Sequence, residues 1–227
     1  MENAPLSRRT SREHSALPPR VLLLPVGSFE QHGPHLPLST DTIIAETVCA
    51  DAAAICEVDV APTFAFSASG EHDGFAGLLS IGTDVTAASL TELVRSARAS
   101  WRGVVIVSGH GGNTTALARV AEVARHEGDR LAYWVPRADD GDAHAGETET
   151  SVILTIDNSL VREDEVPADD QLPNGWRAII QREGLRAVTA SGVLGSPQRA
   201  TLARGADLRR RWCAEVVSLV EALWETA

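Results

Sequence analysis

The sequence predicts an α/β layer fold in one domain, built on a mostly parallel sheet, from three observations. Short, continuous apolar runs alternate with segments of helical periodicity along most of the chain. The run closed by Gly27 has the composition of a strand buried on both faces, and the run closed by Pro136 reads as another strand. Three polar clusters each follow a strand, the position at which open parallel sheets hold ligands.

In chain order, residues 21–26 are the first strand. Residues 41–55 follow as a helix, with Ile44, Val48 and Ala52 spaced by four. A second strand is expected over 58–66 and a helix over 83–101, where Leu90, Leu93, Val94 and Ala97 form one stripe. Residues 104–107 are the cleanest strand and run into Ser108-Gly-His-Gly-Gly-Asn113. A helix over 114–126 has Gly128 available as its C-cap. Residues 131–135 form another strand. The Thr, Val and Ile content of 147–156 leaves helix and strand both open there. Prolines and glycines break any period between 157 and 205, apart from a short helix near 176–182. Leu208, Trp212, Val216, Leu219 and Leu223 mark an amphipathic closing helix. Residues 1–19 read as a flexible arm and 20–227 as the domain.

Composition narrows the function. The 227 residues carry 20 basic against 31 acidic side chains, a formal charge of −11, so no nucleic-acid partner is expected. All 20 basic residues are arginine, which excludes Schiff-base lysines and the lysine of a Walker-type phosphate loop. Cys49, Cys56 and Cys213 form neither a disulfide framework nor a thiolate zinc motif. No apolar run approaches the ~20 residues of a membrane span. The lead-in also lacks a signal-peptide core, so a cytoplasmic location without a membrane partner is expected.

The chemistry-bearing clusters are Gly27-Ser-Phe-Glu30-Gln-His32-Gly-Pro-His35-Leu-Pro-Leu-Ser-Thr-Asp41, then Gly109-His110-Gly-Gly-Asn113, then Asp142-Ala-His144-Ala-Gly-Glu147-Thr-Glu149-Thr-Ser151. Glu30 and His32 point to the same side of an extended backbone, and a turning loop can return Asp41 to them. If a helix begins in the third cluster, His144 and Glu147 share a face. Two histidines with several carboxylates and no cysteine suit zinc, manganese or iron. Asp41 is the candidate for a carboxylate bridging two ions. Taken singly, each feature has a plainer reading. Asp41 reads as an N-cap. Gly109–Asn113 reads as a capped turn or an anion nest, which would make the protein a metal-free anion-binding module. His35 and His72 read as surface or satisfied buried histidines.

The first block, the Gly-His-Gly-Gly-Asn block and the run His144-Ala-Gly-Glu-Thr-Glu-Thr-Ser151 together resemble the creatininase (creatinine amidohydrolase) family. Gly70-Glu-His72 through Gly77, and Gly192-Val-Leu-Gly-Ser-Pro197, extend the likeness over about residues 20–225. The resemblance implies a three-layer α/β/α domain, two divalent ions and hydrolysis of amide bonds. Matched by position, Glu30, His32, Asp41 and His110 are metal ligands with Asp41 bridging, and His144 is catalytic. It also implies a ring-like or stacked homo-oligomer, with the Trp212/Trp224 helix as an interface. Creatininase proper has a liganding glutamate where this chain has Gly112; Glu147 is the first choice to replace it and Glu149 the second. Phe75-Ala-Gly-Leu78 departs from the family's Phe-Pro-Gly-Thr as well. The wording most resembles family members that act on the modified precursor peptide of mycofactocin, releasing its C-terminal Val-Tyr dipeptide. A cyclic amide or formamide is the alternative substrate.

Overall fold

Strand β1 (Val21–Val26) is buried at every position because both faces of its sheet are covered. The structure, a computed structural model, describes residues 5–137, 142–169 and 172–225. Four strands, β1, β2 (Val58–Val60), β3 (Gly103–Ser108) and β4 (Leu131–Trp134), pair in the order β2-β1-β3-β4. Every pairing is parallel, with Leu23 opposite both Val60 and Val105. Between them run α1 (Ser11–Ser15), α2 (Thr40–Ala53), α3 (Gly82–Ala97) and α4 (Thr114–Glu127), followed by α5 (Glu147–Ile156), α6 (Trp176–Glu183) and α7 (Leu202–Glu225).

Alternate strand residues feed two separate cores. Val21, Leu23, Val105 and Val107 pack with α2, α5 and α7 through Ile44, Val152, Ile153, Leu208 and Trp212. Leu22, Leu24, Val104 and Ile106 pack with α3 and α4 through Leu90, Val94, Leu117 and Val120. The result is the expected three-layer α/β arrangement. The connection from β1 through α2 runs to one side, and that from β3 through α4 runs to the other on the opposite face. The order therefore reverses between β1 and β3, and a crevice opens beyond their carboxyl ends.

Several elements differ in extent from the sequence expectation. β2 stops at Val60 rather than at 66, because Pro62 brings no N–H to the ladder. Phe64 rejoins by a single bridge to Val26. Helix α3 ends at Ala97, four residues short. The ambiguous 147–156 segment is a helix, α5, and packs heavily on α7. Gly128 ends α4 in the left-handed region at φ 76°, as expected of a C-cap glycine. Trp212 is a core residue, 2% exposed and edge-on to Trp134 at 5.5 Å, so its ring supplies no interface. Within 5–19, a Thr10/Glu13 capping box starts α1, and Arg9 pairs with the buried Asp59 of β2 at 2.6 Å.

The crossing of α5 and α7 depends on one absent side chain. A Cβ on Gly205 would fall 1.9 Å from the Ser151 carbonyl oxygen. Gly205→Ala is expected to cost about 1–3 kcal/mol of stability through overpacking. Chemical denaturation checks this; an unchanged midpoint would show that the helices separate freely.

Candidate metal centre

The crevice between β1 and β3 is lined by the ends of three segments brought unusually close. A Cβ on Gly27 would sit 2.8 Å from the Thr42 Cα, and one on Gly109 would sit 2.0 Å from the Asp41 carbonyl oxygen. Glycine at both positions lets the ends of β1 and β3 pack directly against the first turn of α2. Gly33, at φ +68°, then turns the chain so that His32 bridges back to Leu36, which returns Asp41 to the cluster.

Asp41 is not the N-cap. Ser39 holds that position, without a side-chain cap bond, and Asp41 is the second helical residue. Its Oδ1 lies 3.1 Å from His32 Nε2 and its Oδ2 lies 3.3 Å from His110 Nδ1, so each oxygen faces a different histidine. Glu30 Oε1 is 3.2 Å from the same His110 Nδ1. Its other oxygen accepts a 2.5 Å hydrogen bond from Ser28. The outward nitrogens are anchored: His32 Nδ1 faces the Glu30 carbonyl at 3.2 Å, and His110 Nε2 faces the Ala68 carbonyl at 3.0 Å. Donation from the outward nitrogen to a carbonyl orients each ring so that its inward nitrogen is the atom turned to the carboxylates.

The third cluster brings His144 and Glu149 into the crevice, whereas Glu147, the first choice from the sequence, is not among the converging groups. His144 lies ahead of α5, in extended backbone bridged to Leu194, so helical spacing does not connect it to Glu147. Glu147 turns outward, 3.8 Å from Arg204. Glu149 turns inward: its Oε2 accepts the Ala145 N–H at 2.6 Å and lies 3.9 Å from His32 Nε2. Ala145 holds φ 50°, a left-handed conformation that turns the chain from His144 into the helix. Glu30 with Asp41 and His110, and His32 with His144 and Glu149, form two adjacent sets of converging ligand atoms.

Sequence reasoning missed His72, whose Nε2 is 3.0 Å from Glu30 Oε1. The only signal was its place in the Gly70-Glu-His72 segment. Asn113 makes no cap bond either; it accepts the Ala68 N–H and donates to Ser108, tying two loops together.

The field of the cluster attracts positive charge. Burial alone would lower the pKa of His32, but Asp41, Glu149 and Glu30 raise it to about 9. Burial likewise opposes charge on His110, and the Glu30, Asp41 and Glu71 carboxylates push it well above the ordinary range. Burial lifts Glu149 to about 7, with Asp41 and Glu30 adding to that and His32 opposing it. His144 falls well below its usual value, through burial first and then the neighbouring imidazoles.

A cavity of about 210 Å³ reaches the cluster and is lined by His72, His110, His144 and Glu149 together with Trp176 and Ile180. A larger groove of about 730 Å³ between α2 and α7 lies beside Ile55 and Cys213, away from these histidines and carboxylates.

The creatinine amidohydrolase family model matches residues 7–220. The chain belongs to the creatininase family. A mycofactocin precursor peptide peptidase from Mycolicibacterium smegmatis is 44% identical over 91% of both chains. A solved creatininase described as the Mn form has a TM-score of 0.80 at 22% identity, covering 97% of each chain. A Zn-Zn type mutant creatininase has a TM-score of 0.80 at 21% identity over 96% of each.

Within this family fold, the space beside Gly112 is already filled. A Cβ there would lie 2.3 Å from both Glu71 Oε1 and His110 Nε2. Glu71 itself lies 3.4 Å from His110 Nε2, on the side away from Asp41.

His35 is buried, and its Nε2 meets Thr150 Oγ1 at 3.0 Å. Burial, reinforced by His32, lowers its pKa to about 4. Unfolding at lower pH therefore takes up a proton at this ring. Its contribution is complete above pH ~6.5 and is lost progressively as pH falls towards ~4. His35→Gln should flatten the pH dependence of stability in that window; an unchanged profile would remove His35 from the acid response.

Proposed function

We propose that the chain is a metal-dependent amide and peptide hydrolase with a two-ion centre built on Asp41, acting in the cytoplasm on the modified mycofactocin precursor peptide to release its C-terminal Val-Tyr dipeptide. The observation that carries the centre is the division of Asp41's oxygens between His32 and His110. The fit to cations rests on two orphaned atoms. Glu30 Oε1 and Asp41 Oδ2 are buried and have no hydrogen-bond partner, a costly state for carboxylate oxygens unless cations meet them.

Glu30, Asp41 and His110 would hold one ion, and His32, Asp41 and Glu149 the other. Imidazole and carboxylate donors without sulfur fit zinc, manganese or iron, and the zinc and manganese forms of creatininase support the first two. Divalent ions in such a site supply Lewis acidity, polarising an amide carbonyl and acidifying water. The chain's own residues do the rest. His144 donates from Nε2 to the Gln31 carbonyl at 2.8 Å, which leaves a lone pair on Nδ1. That nitrogen accepts a proton from the attacking water and returns it to the departing amide nitrogen. Trp176 and Ile180 give the same cavity part of its apolar lining. The substrate assignment is supported by the Mycolicibacterium smegmatis relative's name and 44% identity.

Elemental analysis should find two ions per chain in the unmutated protein and loss of both in Asp41→Asn. Glu149→Gln should lower the count towards one, whereas Glu147→Gln should leave it at two. The reverse ranking of the two glutamates would contradict the ligand set.

His144→Gln should keep its metal while hydrolysis of the precursor peptide, followed by mass spectrometry, falls about 10²–10⁴-fold. Loss of metal in that variant would make His144 a ligand instead. Failure of the unmutated, metal-loaded chain to cleave the peptide would overturn the substrate assignment.

A further inference from the structure

The Gln31 side chain lies between two imidazoles, with the orientation of its amide fixed. Its Oε1 accepts the Gly33 N–H at 2.7 Å, and its Nε2 donates to the Gly192 carbonyl at 2.9 Å. The same Nε2 meets His72 Nδ1 at 3.1 Å. That amide nitrogen also lies 3.2 Å from His144 Nε2, but the proton of that ring goes to the Gln31 backbone carbonyl, which only accepts. The second amide N–H therefore goes to His72 Nδ1, and the His72 proton sits on Nε2. The backbone carbonyl of Gln31 imposes the opposite tautomer on His144, where Nε2 is the donor at 2.8 Å. Two rings with centroids 4.5 Å apart, both lining the cavity, thus hold opposite tautomers: an Nε2–H on His72 and an Nδ1 lone pair on His144.

His72 Nε2 lies 3.0 Å from Glu30 Oε1, yet that oxygen has no hydrogen-bond partner, so the N–H is not aimed at it. A protonated Nε2 is also no metal ligand, although distance alone groups His72 with Glu30 and His144. We propose that His72 is a catalytic hydrogen-bond donor to the carbonyl oxygen of the scissile amide, with Gln31 as the positioning residue that holds its tautomer. The proposal rests on the amide-hydrolase reading above. As water adds to the carbonyl carbon, negative charge builds on the oxygen. A fixed N–H stabilises that charge without reorganising, and the proton stays on His72 throughout. Gly192 is part of the same device: at φ +80°, a Cβ there would lie 2.1 Å from Gln31 Oε1.

The tautomer is read directly by long-range ¹H–¹⁵N correlation on the zinc-loaded full chain carrying ¹⁵N-histidine. His72 should show a pyrrole-like Nε2 and a pyridine-like Nδ1, assigned by their loss in His72→Gln. Manganese titration of His72→Ala should give the unmutated stoichiometry, while kcat on the precursor peptide falls about 10²–10³-fold with little change in KM. His72→Gln, which keeps an N–H near that position, should recover part of the loss. A pyridine-like Nε2 in the unmutated chain, or an ion missing from His72→Ala, would overturn the proposal. Because tautomer and ion count are read without turnover, failure to hydrolyse the peptide would count against the substrate assignment alone.

Discussion

Two carboxylates, Glu30 and Asp41, sit where water barely reaches them, at 0% and 1% exposure, with one oxygen of each left unpartnered. Removing a carboxylate from water costs several kcal/mol even after relaxation, and only nearby positive charge or donors offset it. Much of the surrounding structure meets that demand. His32 and His110 face the carboxylates, and backbone carbonyls of Glu30 and Ala68 hold the rings in place from behind. The start of α2 adds the positive end of its dipole beneath Asp41. The glycines at 27 and 109 allow the close approach that brings these groups together.

The sheet contributes position rather than chemistry. Its order reverses between β1 and β3, and the two strand ends deliver Glu30, His32 and His110 to one crevice. α5, supported by α7, brings Glu149 from the third cluster. Gln31 then differentiates two otherwise equivalent imidazoles, one as donor and one as acceptor. Amide hydrolysis needs both kinds of group: an acceptor for the proton of water and a donor for charge on oxygen.

Much of this was legible in the sequence where local chemistry decides the outcome. The buried strands at β1 and β3, the Gly128 cap and the convergence of Glu30, His32, Asp41 and His110 follow from apolar runs, glycine positions and motif spacing. The departures lie where tertiary context or a local break in the backbone decides the outcome. Choosing Glu147 assumed that a helix already included His144, whereas the helix begins after it and the intervening turn at Ala145 sets the phase. His72 carries no periodic or motif signal strong enough to separate it from an ordinary buried histidine; only the tertiary return of its loop places it on Glu30. β2 reads as longer than it is because its apolar run continues past the point where Pro62 interrupts pairing.

The most direct test of the central claim is anomalous diffraction from crystals of the chain loaded with zinc or manganese, recorded at the metal's absorption edge. Two anomalous peaks are expected, one bounded by Glu30, Asp41 and His110 and the other by His32, Asp41 and Glu149, with a different Asp41 oxygen turned to each. A single peak, or two peaks of which only one contacts Asp41, would contradict that claim.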